Sequence, residues 1–257
     1  MQSKLNLNHM KSPIFLMRFF DTDEHRNDFF RGGFYMRNLT SYKTEDTTGN
    51  GINDYGEGTV NSERINNMRI ILNFDDGNGD IYKTEVDENV TALKMPSSLT
   101  GDAYISSWTL IPNKHLIFNY EVGKYELDTK FVQQVYQTYN EKRFGVIVVL
   151  QDLIDAFEIA AKKQQLDSSY SPIHYGNILE IYKENTELVT AYGELFVKSK
   201  KFKEQYEFRF ITFIKEPIEG HLLQMETKMM RFTKFDEPFS KKVSVNLFDI
   251  LDNSTIE

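Results

Sequence analysis

Apolar and polar positions recur along this chain in two rhythms, one of period two and one of helical spacing, and their order predicts the elements. Residues 14–20 (IFLMRFF) are an apolar and aromatic run interrupted by one arginine, with the capping pair Asp21-Thr22 behind it. A buried strand and a helix over roughly Asp23 to Arg31 follow from that pattern. Gly32-Gly33 ends the helix, and residues 34–39 (FYMRNL) return as a second strand. The runs at 68–74 and 81–86 flank Asp75-Asp76-Gly77-Asn78-Gly79-Asp80, whose tolerance of positive φ makes a hairpin. Further strands are expected at Ala103 to Leu110, His115 to Glu121, Phe144 to Leu150 and Ile173 to Ile181.

Helical spacing appears in three places. Phe131, Val132, Val135, Tyr136 and Tyr139 line one face of a helix over 129–142, and Leu153, Ile154, Phe157 and Ala160-Ala161 line another from Asp152 to Gln165. A third helix is expected over 185–199. Residues 205–210 (QYEFRF) alternate strictly, so a strand there sets Gln205, Glu207 and Arg209 on one face and Tyr206, Phe208 and Phe210 on the other. Later strands are expected at Leu222 to Lys228 and Lys242 to Leu247. Strands at both ends with helices between them predict an α+β fold. No repeat or linker divides the chain, so residues 1–257 read as one domain with insertions: a glycine-rich loop at 47–59, the hairpin at 68–86 and a helical region at 129–199.

Composition removes whole classes of function. The 257 residues are 40% hydrophobic, enough to fill a core, so disorder is not the expectation. Thirty Lys+Arg against 38 Asp+Glu give a formal charge of −8, which disfavours non-specific attraction to nucleic acid and favours basic partners. The absence of cysteine removes disulfides, thiolate metal sites and thiol nucleophiles together. No apolar run is long enough for a membrane helix, and MQSKLNLNHMKSP lacks the apolar stretch of a signal peptide, so a soluble, cytoplasmic protein without a membrane partner is expected.

Few motifs survive inspection. The aspartate-rich turn at 75–80 lacks the ligand spacing of a calcium loop, and the five histidines show no metal spacing, so no metal is expected. Phosphate-binding glycine loops and the Gly-x-Ser-x-Gly elbow are also missing. What remains is Arg18 within an aromatic strand, Ser106-Ser107-Trp108-Thr109 on another, and Gln205-x-Glu207-x-Arg209. Each has a structural reading beside a functional one. Arg18 is either paired or snorkelling, or holds a phosphate; the serines are either bland or orienting; Glu207 either pairs with Arg209 or works as an acid.

In that order, these residues resemble the Arg, Ser-Thr-Ser and Gln/Glu-x-Glu pattern of ADP-ribosyltransferases, with Ser-Ser-Trp-Thr departing from Ser-Thr-Ser. A second resemblance spans roughly 14–214. Residues 33–39 with Asn53-Asp54-Tyr55-Gly56-Glu57-Gly58, the strand at Ser106-Ser107, Phe144-Gly145-Val146-Ile147, Ile173-His174-Tyr175, and Lys198 with Phe202 through Arg209 are similar to successive phrases of an uncharacterised bacterial and phage domain family. That family is related to AbiGi-type abortive-infection proteins.

The resemblance implies an ADP-ribosyltransferase-like fold, a mixed and mostly antiparallel split β-sheet core with helices. It also implies an NAD-dependent ADP-ribosyltransferase or NAD-cleaving effector, toxin-like, in conflict between phage and bacterium. Glu207 would be the catalytic acid beside the ribose, and Gln205 would position an acceptor, either protein or nucleic acid. Arg18 would hold the NAD pyrophosphate, Ser106 and Ser107 would orient the ribose, and Tyr35 or Trp108 would stack on nicotinamide. The alternative is a non-catalytic module of the same fold, an antiviral-defence sensor or inhibitor that recognises a phage or host protein through the acidic loop at 47–59.

Overall fold

The computed structural model describes residues 14–39, 102–121, 124–138, 144–176, 193–198, 200–214, 220–227 and 230–236, and the backbone of five further strands. In chain order the strands are β1 (Phe15–Phe20), β2 (Gly33–Asn38), β3 (Thr59–Glu63), β4 (Ile70–Asp75), β5 (Ile81–Val86), β6 (Ala92–Pro96), β7 (Ala103–Ile111), β8 (Leu116–Asn119) and β9 (Lys124–Leu127). After them come β10 (Phe144–Val149), β11 (Ser168–Pro172), β12 (His174–Tyr175), β13 (Val197–Lys198), β14 (Glu207–Phe213), β15 (Gly220–Gln224), β16 (Phe232–Asp236) and β17 (Ser244–Val245). The helices are α1 (Asp23–Phe30), α2 (Thr129–Thr138) and α3 (Leu150–Lys163), with 3₁₀ turns at Asn113–His115, Gly193–Phe196 and Lys200–Gln205.

The chain folds as mixed α and β around one antiparallel sheet of order β11-β14-β7-β1-β10-β16, with β2 and β15 attached beside β7. The branch is a split. β7 pairs along one edge with β14 over its length, but its other edge serves two strands: β1 at Thr109 to Ile111 and β2 at Tyr104-Ile105. Residues 106–108 lie between them. The Leu110 N–H donates to the Tyr206 carbonyl on the β14 side, so by antiparallel alternation the backbone groups of Ser107 face the split.

Side-chain alternation sorts residues between two layers. Paired residues share a face, so Leu16, Leu110, Trp108, Phe208, Ser106 and Phe210 lie on one side of the sheet. There they pack with Phe29 and Phe30 of α1 and with Leu153 and Phe157 of α3. On the other side Phe15, Met17 and Phe19 pack under Phe131, Val132 and Val135 of α2, whereas Ile105 and Ile211 pack with Leu195 and Phe196 of the 3₁₀ turn. The largest stretch of sheet is covered on both faces.

Several local expectations hold for physical reasons visible in the sequence. The Thr22 hydroxyl accepts from His25 N at 3.2 Å and starts α1. β4 and β5 pair as the 68–86 hairpin requires. Others need correction. Leu150 opens α3 where it was expected to end a strand, and the strand at 173–181 is only His174-Tyr175 within the described residues. Residues 193–198 form a 3₁₀ turn and a two-residue strand in place of the end of a helix, and 129–199 carries β10 to β13 among its helices. The strand expected at 205–210 begins at Glu207. Lys200–Gln205 is a 3₁₀ turn, and Tyr206 stands in the left-handed region at φ +47. The glycine-rich loop up to residue 58, with Glu57, lies outside the described residues.

Candidate functional site

Residues singled out in the sequence meet on the face of the sheet under the Gly193–Phe196 turn. β14 and β7 bring Glu207, Arg209, Thr109 and Ser107 to one side, because Glu207 pairs with Thr109 and Arg209 with Ser107. The Ser107 hydroxyl donates to Glu207 Oε1 at 2.6 Å, and Arg209 donates to the same oxygen from Nε at 2.9 Å and Nη2 at 2.7 Å. Lys198 Nζ lies 2.7 Å from Oε2. Arg209 also donates from Nη1 to the Leu195 carbonyl at 2.6 Å, and the Glu207 N–H donates to the Tyr175 hydroxyl at 2.8 Å.

Gln205 joins from outside the strand. Its Oε1 accepts from Lys198 Nζ at 3.4 Å, and the ammonium also lies 5.6 Å from the centre of the Phe202 ring. Lys198, Phe202, Gln205, Glu207 and Arg209, read in the sequence as one phrase, are therefore one contiguous cluster in space.

The side chains of Lys198, Glu207 and Arg209 are 5%, 3% and 0% exposed. Burial by itself pushes the Glu207 carboxyl up. The Arg209 guanidinium, the Lys198 ammonium and the Ser107 hydroxyl outweigh that and hold it well below the usual carboxylate range. The acid is ionised, enclosed and engaged at both oxygens. Such an arrangement stabilises a carboxylate; it presents none to a ligand.

Arg18 lies elsewhere. It follows Leu16 by two residues on β1 and so shares the face of Leu16, Ser106 and Trp108, opposite that of Glu207. Its Nη1 donates to the Ser106 hydroxyl, and its guanidinium carbon lies 5.3 Å from the Phe20 ring and 5.6 Å from Trp108. Trp108 is itself core, stacked on Phe34 with ring centres 6.2 Å apart and beside Phe29 at 5.3 Å. Its Nε1 is buried with no hydrogen-bond partner among the described residues.

The two neighbouring serines thus serve opposite faces: Ser106 holds the guanidinium and Ser107 the carboxylate. Arg18 and Glu207 therefore project from opposite faces of the sheet. Tyr35 shares a face with Arg37, which pairs with Ile105, so it lies on the Glu207 side. It stands on the β2–β15 wing, 48% exposed, directly across from Leu222, which is 56% exposed. The arrangement does not fit NAD as a ligand held jointly by the residues singled out for it.

A second polar group went unnoticed in the sequence. His115 Nδ1 lies 3.3 Å from Asp128 Oδ2, and its ring stacks on Phe131 at 4.3 Å. Asp128 also accepts from Lys130 N at 2.9 Å and caps α2. That backbone bond, with His115 beside it, lowers the Asp128 carboxyl pKa against a smaller opposing effect of burial. The thirteen-residue separation of His115 and Asp128 matches no helical or strand repeat, so only the fold brings them together.

Among the described residues there is no group of three His, Asp or Glu side chains arranged for a metal, and no helix is long and apolar enough to cross a membrane. In comparisons with known proteins, no family model, no curated protein and no solved structure matches this chain.

Proposed function

We propose that this chain is a non-catalytic binding module with an ADP-ribosyltransferase-like split sheet, which recognises a protein partner. The carrying observation is that Arg18 and Glu207 lie on opposite faces of β7, with the carboxylate enclosed by Lys198, Arg209 and Ser107. By the resemblance, an NAD-cleaving site would hold a guanidinium on the pyrophosphate and a carboxylate beside the same ribose. Here those groups serve packing and charge neutralisation inside the fold. The split of β7 between β1 and β2, and the order of the Arg, Ser-Ser and Gln-x-Glu segments, support the fold assignment.

Recognition of a protein draws support from the surface. Tyr35 and Leu222 form an exposed cross-strand pair on the β2–β15 wing, and tyrosine is among the side chains that anchor protein interfaces. The formal charge of −8 favours a basic partner. A phage or host protein met in abortive infection is the class to which the resemblance points.

Calorimetry with NAD and an assay for released nicotinamide test the reading. No binding heat and no turnover are expected, with Glu207→Gln lowering the melting temperature. NAD turnover by the wild-type chain that disappears in Glu207→Gln at unchanged melting temperature would overturn it. A photo-crosslinking residue at position 35 or 222, in cells undergoing infection, should give a discrete protein adduct, and a smear or no adduct counts against recognition at this wing.

A further inference from the structure

Tyr206 is a bulky aromatic residue at φ +47, a conformation unfavourable for a non-glycine residue that persists only where its surroundings impose it. It stands at the junction of two regions of different construction. On its C-terminal side, β14 is paired on both edges, with β7 and β11, and is buried over Glu207 to Thr212. On its N-terminal side, the described residues 193–198 and 200–205 form two 3₁₀ turns and the two-residue strand β13, which among the described residues pairs with the equally short β12. The Tyr206 ring packs beside α2 on the same face of the sheet as this segment, edge-on to Phe131 at 5.9 Å and to His115 at 6.3 Å, and its hydroxyl donates to Glu204 Oε2 at 3.2 Å. Its carbonyl accepts from Leu110 N at 2.7 Å. The residue is thus anchored to the sheet and to α2, and of the segment before it Glu204 reaches the same anchor, accepting from Gln134 Nε2 of α2 at 3.4 Å.

That segment docks through named contacts. Leu195 and Phe196 enter the cluster around Ile105 and Ile211, the Leu195 carbonyl accepts from Arg209, and Lys198 meets Glu207. Short 3₁₀ turns have poor hydrogen-bond geometry and little cooperativity of their own, so the segment holds its place through what it touches. A left-handed residue anchored on one side and joined to such a segment on the other is a joint.

We infer that residues 193–205 are a strap that releases from the sheet as a unit about Tyr206, with the Lys198–Glu207 pair as its latch. Release uncovers the carboxylate of Glu207 and the guanidinium of Arg209 while β7, β14 and β1 stay paired. The strap is a conformational device independent of the binding reading: it stands or falls on local opening, whatever the wing at Tyr35 recognises.

Native-state hydrogen exchange on the full chain, followed by mass spectrometry over a denaturant series below the unfolding transition, tests it. Amides of 193–205 are expected to exchange at least about tenfold faster than those of β7 and β14 and with a weaker denaturant dependence. Val148→Ala, in β10 and away from the strap, should speed exchange in the sheet and leave 193–205 unchanged. Lys198→Met should speed 193–205 by about tenfold or more. Tyr206→Pro, whose ring forbids positive φ, should strip protection from 193–205 and keep it in β7. Strap and sheet amides that merge on one curve from zero denaturant, or that respond equally to Val148→Ala, would overturn the inference. The wild-type series decides the question where a variant does not fold.

Discussion

Lys198 and Glu207 meet at 2.7 Å inside the protein, on either side of a chain reversal that places Tyr206 in the left-handed region. Breaking one member of a buried pair leaves the other charge desolvated, which typically costs about 3–5 kcal/mol, far more than the pair adds relative to apolar replacements. Glu207→Gln removes the carboxylate facing both Lys198 and Arg209 and is expected to destabilise by that amount. Lys198→Met keeps the bond to Arg209 and a similar stem, and about 1–3 kcal/mol is expected. Chemical denaturation of the two single variants and the double variant checks this. The double variant should lose less than the sum, because the two changes remove one shared interaction.

Acid should erase the same contribution. The folded pKa of Glu207 is depressed below its ordinary value of 4.5, so the unfolded chain binds more protons as pH falls. The stabilisation is therefore fully present above the unfolded pKa and is lost as pH drops from about 4.5 towards the folded value. The gap between the denaturation midpoints of wild type and Glu207→Gln, measured between about pH 6 and pH 3, should narrow towards the acid end. A gap that stays constant across that range would remove the carboxylate's charge from the account.

The ladder explains which parts of this arrangement were readable in the sequence. β1, α1 and β2 were legible because Thr22 caps α1, Gly32 at φ +98 follows it, and the flanking apolar runs are short, each holding a single arginine. Strict alternation in QYEFRF correctly put Glu207 and Arg209 on one face, yet it carried Gln205 into the strand. The local period cannot report that Tyr206 goes left-handed, because its ring is claimed by Phe131 and His115 far along the chain. The opposition of Arg18 to Glu207 was hidden for a different reason. Which of two adjacent serines faces which layer depends on the registers of β1 and β14 against β7, a property of pairing and not of any one segment. Lys198 entered the sequence reading only through resemblance, since a lysine after a turn carries no periodic signal of burial.

The end of α3 offers a stabilising change. Leu166 N donates to the Ala161 carbonyl at 3.0 Å and Gln165 N to the Lys162 carbonyl at 3.1 Å, the bond pair of a Schellman motif, with Gln165 at φ +55 in the position that favours glycine. Gln165 is exposed, so replacing its side chain removes little packing. Gln165→Gly is expected to stabilise by about 0.5–1 kcal/mol, the left-handed cost of the glutamine less the extra chain entropy of glycine. A rise of about 1–4 °C in melting temperature is the expected reading. Gln165→Val, β-branched and poorly suited to that φ, should move it the other way.

Gly145 marks the place where the sheet tolerates no side chain. It pairs with Phe19 on one edge and Phe235 on the other, and a Cβ there would fall within the van der Waals envelope of the Phe235 ring. That ring lies over the glycine to reach Phe19, with centres 5.4 Å apart and planes at 83°. Gly145→Ala must therefore push Phe235 off Phe19 or bend β10 away from β16. Overpacking of this type costs about 1–3 kcal/mol, against the small gain a strand normally takes from losing glycine. Phe235→Ala removes the obstacle, so in that background Gly145→Ala should become neutral or stabilising by a few tenths of a kcal/mol. Denaturant midpoints of the four proteins in this cycle check the prediction. Equal costs of Gly145→Ala with and without the Phe235 ring would show that the glycine is required by the backbone and not by its neighbour.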